Sequence, residues 1–423
     1  MSDSNRAATP IASILRGLWR DLALAWRNVV RQRRRSALGL LSVAAGVTAF
    51  ILAAGFIDWI YWAMREDTIG SRLGHIQIVR DGYFETGAAD PFAYLLPENA
   101  AKRDQVARLP GVSAVAQRLS VSGLVSLGDT TMSFLGEGIE PAVEQPFERA
   151  VVITEGSKLS PDQPQGVIVG QGLARNLGMK VGDSLVLLAN TQRGGINAVE
   201  VRVLGFFSTV TKAYDDAAVR MPIGVARQLV RASGAHAWVV MLDDTGRTDA
   251  MATQIRSLLA GERLEVVPWH QRADFYNKTV ALFSKQVGVM KMIIALIIIL
   301  SISNTLTMSV LERTSEIGTT MALGANRWTT LRRFVFEGLV IGVLGGAIGA
   351  VAGIALALII SAVGIPMPPP PGMARGFVGE MRLSVPLVLD ALLLAVGTTL
   401  VASWYPAWKA SRMVIVDALR HAR

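Results

Sequence analysis

The chain has 423 residues, 51% hydrophobic and 18% charged, with 42 Lys+Arg, 33 Asp+Glu, four His and no Cys. The lack of cysteine excludes disulfides and thiol chemistry. His75, His236, His270 and His421 are too widely spaced to suggest a metal set. The first element is an amphipathic helix. Ile14, Leu18, Leu22, Ala25, Trp26 and Val29 share one face, and Arg16, Arg20, Arg27 and Arg31 share another, so it reads as an elbow lying in the inner leaflet. About 35 residues precede a long apolar run, which argues against a cleavable signal.

A spanning helix needs about 20 apolar residues to cross a core about 30 Å thick. Ser36–Ile57 carries no charge, nor does Met292–Leu311. Gly338–Ala374 is also uncharged, apolar to Ile365, and Ala391–Trp408 is extended by Val385–Leu389 on the far side of Asp390. The mean hydropathy of +0.39 agrees with a membrane protein. Asp58, beside Trp59, Tyr61 and Trp62, reads as interfacial, and Glu337 and Asp390 read as solvated at span ends.

The long insert after the first span reads as mixed α+β. His75–Val79, parts of Val121–Phe134, Ser184–Leu188 and Val199–Phe206 have strand patterning, and Gly166–Val169 suits a short buried strand. Gln171–Leu177, ended by Gly178, reads as helix, as do Pro222–Val230 and Thr248–Leu259. The turn-rich stretch from Pro146 to Gly166 is a candidate division between two cores. Trp59–Arg72 and Gln271–Met290 read as helical stalks.

Basic residues set the orientation. Arg27, Arg31, Arg33, Arg34 and Arg35 precede span one. Arg313, Arg327, Arg332 and Arg333 lie between spans two and three, and Lys409, Arg412 and Arg420 follow span four. The loop between spans three and four has only Arg375 and Arg382. Both termini and the connector are therefore expected in the cytosol, and the insert outside. From Arg65 to Lys285 the chain has 23 basic and 24 acidic residues; the remainder has 19 basic and 9 acidic. The excess positive charge thus belongs to the membrane flanks, and a nucleic-acid surface is excluded.

The expected fold class is a membrane α-helical protein with four transmembrane helices and a large α+β extracytoplasmic domain inserted between helices 1 and 2. Its expected parts are a cytosolic tail and elbow (1–35), transmembrane helix 1 (36–64), the outer domain with stalks (65–285) and transmembrane helix 2 (286–311). A cytosolic coupling region (312–333), transmembrane helix 3 (334–365), an outer loop (366–384) with five prolines, transmembrane helix 4 (385–408) and a cytosolic tail (409–423) complete it.

Span three carries Gly338, Gly342, Gly345, Gly346, Gly349 and Gly353, with repeated spacings of four. Small residues so spaced let helix backbones approach closely, within the subunit or against a partner. No phosphate-binding G-x-x-x-x-G-K-[ST], no G-x-S-x-G and no H-E-x-x-H occurs, so no catalytic set is apparent. The connector after span two is more informative. Glu312–Leu323 suits a short helix stopped by Gly324, with Asn326 capping the next. Ile317, Met321, Ala322 and Leu323 form its expected apolar face, suited to docking in a partner's groove.

This connector resembles the E-R-x-x-E-I-G-x-x-x-A-L-G-A pattern of the MacB, lipoprotein-releasing and FtsX-type ABC transporter permeases. It is carried here by Glu312, Arg313, Glu316, Ile317, Gly318, Ala322, Leu323, Gly324 and Ala325. The basic elbow from Trp26 to Arg35 is similar to the family's. So are Val169–Ala174 with Leu177–Asp183, and Pro406, Ala407, Lys409, Arg412, Ala418, Leu419 and Arg420. Met321 stands where many members have Arg, and Val414–Ile415 replace a frequent Asp-Pro pair.

The resemblance implies a non-catalytic subunit of the bacterial inner membrane. It pairs with a second permease copy or paralogue and with a separate ABC ATPase subunit, to which the connector residues couple. No cofactor is implied for this chain, since ATP and Mg would be held by the partner. ATP-driven motion would reach the periplasmic domain and extract or export a lipoprotein, lipid-like or peptide substrate, with a periplasmic lipoprotein or adaptor as a further partner. The alternative is FtsX-type signalling to a periplasmic cell-wall hydrolase.

Overall fold

The computed structural model describes residues 10–31, 33–87, 89–97, 101–147, 151–209, 211–368 and 376–414. The side chains of Ile14, Arg16, Leu18, Arg20 and Arg33 lie outside the described residues. So do the prolines at 369–371, Arg375, Ile415, Ala418, Leu419, Arg420 and His421. The chain divides into two compact units. One holds residues 1–60, 281–365 and 379–423; the other holds 61–280 and 366–378.

The first unit is helical. An elbow helix (Pro10–Arg31) precedes span one (Arg33–Thr68). Span two (Asp274–Glu312), a connector helix (Thr314–Ala322), span three (Arg327–Val363) and span four (Val385–Ser411) follow. All four spans are long and apolar enough to cross a bilayer. Their shared core includes Val43, Val47 and Ile51 of span one, Ile298 and Ile302 of span two, Ile341 of span three and Ala391 and Ala395 of span four.

The glycines of span three explain how the helices approach. They form two rows. Gly338, Gly342 and Gly346 face Ser403, Thr399 and Ala395 of span four, while Gly345, Gly349 and Gly353 face Val43, Ala44 and Ile51 of span one. A Cβ on Gly342 would lie 2.1 Å from Thr399 Oγ1, and one on Gly349 would lie 2.5 Å from the Ala44 carbonyl oxygen. The contact is cross-linked as well, since Thr48 Oγ1 donates to the Gly349 carbonyl at 3.0 Å. Both rows are therefore occupied by helices of the same chain.

The second unit is built on ten strands: β1 (Ile76–Arg80), β2 (Val112–Leu127), β3 (Thr130–Ile139), β4 (Val152–Gly156) and β5 (Gly166–Gly170). The rest are β6 (Ser184–Asn190), β7 (Ile196–Ser208), β8 (Ala218–Pro222), β9 (Ala237–Leu242) and β10 (Leu264–Pro268). The order is β10-β1-β9-β2-β3-β8-β5-β7-β4, with β6 pairing β2 and β7. Helix Gln171–Leu177 ends at Gly178, whose φ of +65° suits a residue without a Cβ.

The two largest cores lie against this sheet, with smaller clusters around Trp269 and around Phe207. Ile76, Ile78, Trp238, Val240, Met251 and Ile255 belong to one. Leu119, Val125, Phe134, Val169, Leu187 and Val219 belong to the other. Their division does not follow the turn-rich stretch from 146 to 166. It crosses the 16-residue β2, which pairs β9 through Arg118 and then β6 from Gly123. A long strand that changes partners splits a domain without any turn signal in the sequence.

Candidate functional site: the connector

The connector helix is shorter than its pattern suggests because Glu312 closes span two and Arg313 sits at the break between helices. Its end is well formed. Ala325 N–H donates to the Thr320 carbonyl at 3.1 Å and Gly324 N–H to the Met321 carbonyl at 3.1 Å, with Gly324 at φ +96°. These are the two bonds of a Schellman stop, which only a left-handed residue at that position permits. Asn326 then accepts from Trp328 N–H at 3.3 Å and starts span three.

Arg313 is the hub. Its Nη2 donates to Asn28 Oδ1 of the elbow at 2.8 Å. Its Nη1 lies 3.7 Å from Glu337 of span three, and its Nε lies 3.5 Å from Glu316 of the connector. Glu312 is chelated by the Arg35 guanidinium through both carboxylate oxygens, joining the ends of spans one and two. Asp21 of the elbow pairs with Arg332, and lies 3.7 Å from Arg333. The five helical segments are thus joined by three separate groups of polar contacts, around Arg313, at Arg35–Glu312 and at Asp21.

Glu337 corrects the sequence reading. It is only 4% exposed, so it is not solvated at a span end. A buried carboxylate needs a cationic partner, and Arg313 supplies one. Asp390 is also not simply solvated. Lys291 Nζ donates to both of its carboxylate oxygens at 2.6 Å, and the same ammonium lies 5.6 Å from the Phe50 ring centre.

The apolar face of the connector divides in two. Ile317 and Gly318 are buried. Ile317 packs with Val310, Leu331, Phe334 and Ala407, with Met321 against the same cluster. Ala322, Gly324 and Leu323 are exposed, Leu323 by 85%, and Trp328 is 60% exposed. Residues 317 and 321 share a helical face that 322 and 323 cannot share at 100° per residue. Ala325 is half-buried, and Glu312 and Glu316 stand at the exposed edge.

Asn28, Asp21, Arg35 and Glu337 were not singled out from sequence as site residues. An acid inside a basic, apolar helix, as at Asp21, and one at the head of a glycine row, as at Glu337, are the available signals. Among the described residues, no group of three or more His, Asp or Glu is placed to hold a metal.

Two family models match the chain, and the second contains this site. A MacB-like periplasmic core domain matches residues 36–258, and an FtsX-like permease C-terminal domain matches residues 288–415. The chain is 26% identical over 400 residues to the macrolide export ATP-binding/permease protein MacB of Brucella abortus, covering 91% of this chain and 58% of that one. It is 26% identical over 273 residues to the lipoprotein-releasing system transmembrane protein LolC of Xylella fastidiosa, covering 60% and 64%. The chain thus spans less than two thirds of the length of these curated relatives. Among solved structures, the periplasmic region of MacB from Actinobacillus actinomycetemcomitans aligns with 51% of this chain and 95% of its own, at 15% identity and a TM-score of 0.36.

Proposed function

The chain belongs to the family of ABC transporter permeases with a MacB-like periplasmic core and an FtsX-like C-terminal domain, and from that premise we propose that it passes ATP-driven motion across the inner membrane. It acts as the non-catalytic subunit. A separate ATPase docks on the connector, binds ATP and Mg, and opens and closes as it hydrolyses ATP. A second permease, a copy or a paralogue, completes the transporter. Both termini and residues 312–333 lie in the cytosol, and residues 65–285 lie in the periplasm. The cargo is a lipoprotein, lipid-like molecule or peptide drawn from the outer face of the membrane.

The observation that carries this reading is the Arg313 hub. A groove on a partner that pushes Glu316, Leu323 or Trp328 would pull at once on the elbow and span three, because Arg313 ties the connector to both. Spans one and two would follow through Arg35 and Glu312. The unbroken helices Arg33–Thr68 and Asp274–Glu312 are suited to carry such a movement. The MacB-like match over residues 36–258 favours export over hydrolase signalling.

The test begins with a native pull-down of the tagged chain in mild detergent. A stoichiometric ATPase is expected, and Glu316→Lys should abolish substrate-dependent ATP hydrolysis. Full activity in that variant, or no ATPase under conditions that preserve a known transporter, would overturn the proposal.

A further inference from the structure

The arginines around the connector divide into two sets. Arg35, Arg313, Arg332 and Arg333 are paired with carboxylates of this chain. Arg27 and Arg31 of the elbow and Arg34 of span one are exposed, and among the described residues none of the three has an acidic partner. The nearby acids are already engaged. Asp21 serves two guanidinium groups, and Glu312, Glu316 and Glu337 are committed to Arg35 and Arg313.

The elbow turns one face to the protein. Asp21, Ala25 and Val29 recur every fourth residue and are buried, with Ala25 and Val29 in the core that the spans share. At 100° per residue, the far side of the helix carries two neighbouring edges. Trp26 and Val30, 50% and 43% exposed, form an apolar edge. Arg27 and Arg31 form a basic edge about 60° further round from Val30, one helical turn apart. Arg34 follows at the second position of span one. A helix that exposes an apolar edge beside a basic one, at the point where a span begins, fits the border between acyl chains and headgroups. Water alone would satisfy the arginines but would leave Trp26 and Val30 wet. A phospholipid covers both edges with one molecule, and three unpaired arginines select a negatively charged one.

We propose that the elbow and the start of span one bind an anionic phospholipid of the adjacent leaflet. Its phosphate lies against Arg27, Arg31 and Arg34, and its acyl chains lie along Trp26 and Val30. The site requires only that the spans lie in a bilayer, so it stands or fails apart from ATPase coupling and from the cargo.

The full chain in mild detergent is offered phosphatidylglycerol and phosphatidylcholine in equal amounts, and the lipids it retains are counted by native mass spectrometry. A preference of about tenfold for phosphatidylglycerol is expected from three arginines beside the headgroup. Arg27→Gln, Arg31→Gln and Arg34→Gln together should remove the preference, and each alone should lower it by about twofold. The three changes to Lys should keep most of it, because the attraction is chiefly one of charge. Trp26→Ser should weaken retention of both lipids alike. Melting temperatures in phosphatidylcholine nanodiscs should match those of the unaltered chain, since exposed charges without partners contribute little to folding. Equal retention of the two lipids by the unaltered chain, or a preference that survives the three Gln changes, would overturn the proposal. In the second case, loss of the ATPase from a pull-down with the Gln variant would assign these arginines to that protein instead.

Discussion

Arg313 Nη2 donates to Asn28 Oδ1 at 2.8 Å, joining the connector to the elbow. The same guanidinium is the cation nearest the buried Glu337 carboxylate, at 3.7 Å. Removing it strands a charge in an apolar setting, at a cost on the order of 3 kcal/mol. Arg313→Ala should therefore lower the melting temperature of the purified chain and loosen the elbow. Arg313→Met combined with Glu337→Gln should recover the stability, since no charge is then left buried. It should not recover ATPase coupling. Thermal unfolding in detergent and ATP turnover with the partner separate the two effects, and a stable Arg313→Ala protein would refute the hub.

The glycine rows give a prediction with an internal control. Gly349→Ala places a methyl 2.5 Å from the backbone oxygen of Ala44, which cannot swing aside. Overpacking of this kind costs about 1–3 kcal/mol. A Cβ on Gly397 of span four would meet nothing within 4 Å. Gly397→Ala should therefore be neutral or mildly stabilising, because alanine favours helix. Equal melting temperatures for the two variants would show that the span one contact is looser than described.

Much of this architecture is legible in the residues themselves. Four apolar runs announce the spans, and Gly324 and Asn326 mark the end of one helix and the start of the next, because their chemistry is local. The ion pairs are less legible. Arg35 and Glu312 lie 277 positions apart, and Asn28 and Arg313 lie 285 apart. Each reads alone as an ordinary charge or amide at a membrane edge. The buried strand β8 is similarly obscured, because burial on both faces removes the alternation that signals a strand, and Arg220 interrupts its apolar run. Burial works against the Arg220 charge, but Tyr214 and Glu137 outweigh it, raise the pKa and keep the guanidinium charged.

The outer domain should be acid-sensitive through His236. The unfolded chain takes up its proton near pH 6.5, whereas burial holds the folded imidazole neutral until about 4. Between these values the unfolded state binds more protons, so stability is complete above 6.5 and falls as the pH drops towards 4. The full shift corresponds to about 3 kcal/mol. Melting curves of the full chain from pH 7.5 to 4.5 should therefore show a decline that His236→Gln flattens. Identical slopes for both proteins would rule out this histidine as the source.

Lys291 and Asp390 form an ion pair between spans two and four, with Lys291 Nζ 2.6 Å from both carboxylate oxygens. Each charge sits within a segment otherwise apolar enough to cross the bilayer, where an unpaired ion is costly. Lys291→Met should destabilise the bundle by about 1–3 kcal/mol through the orphaned carboxylate. The exchange Lys291→Asp with Asp390→Lys should restore part of that loss, because the pair depends on opposite charge rather than on which helix carries which sign. Phe50 makes the restoration incomplete. Its ring lies 5.6 Å from the ammonium in the native arrangement and would face a carboxylate in the exchanged one. A double-mutant cycle read by detergent unfolding checks this. A coupling energy indistinguishable from zero would mean that the two groups are held by lipid headgroups and water rather than by one another.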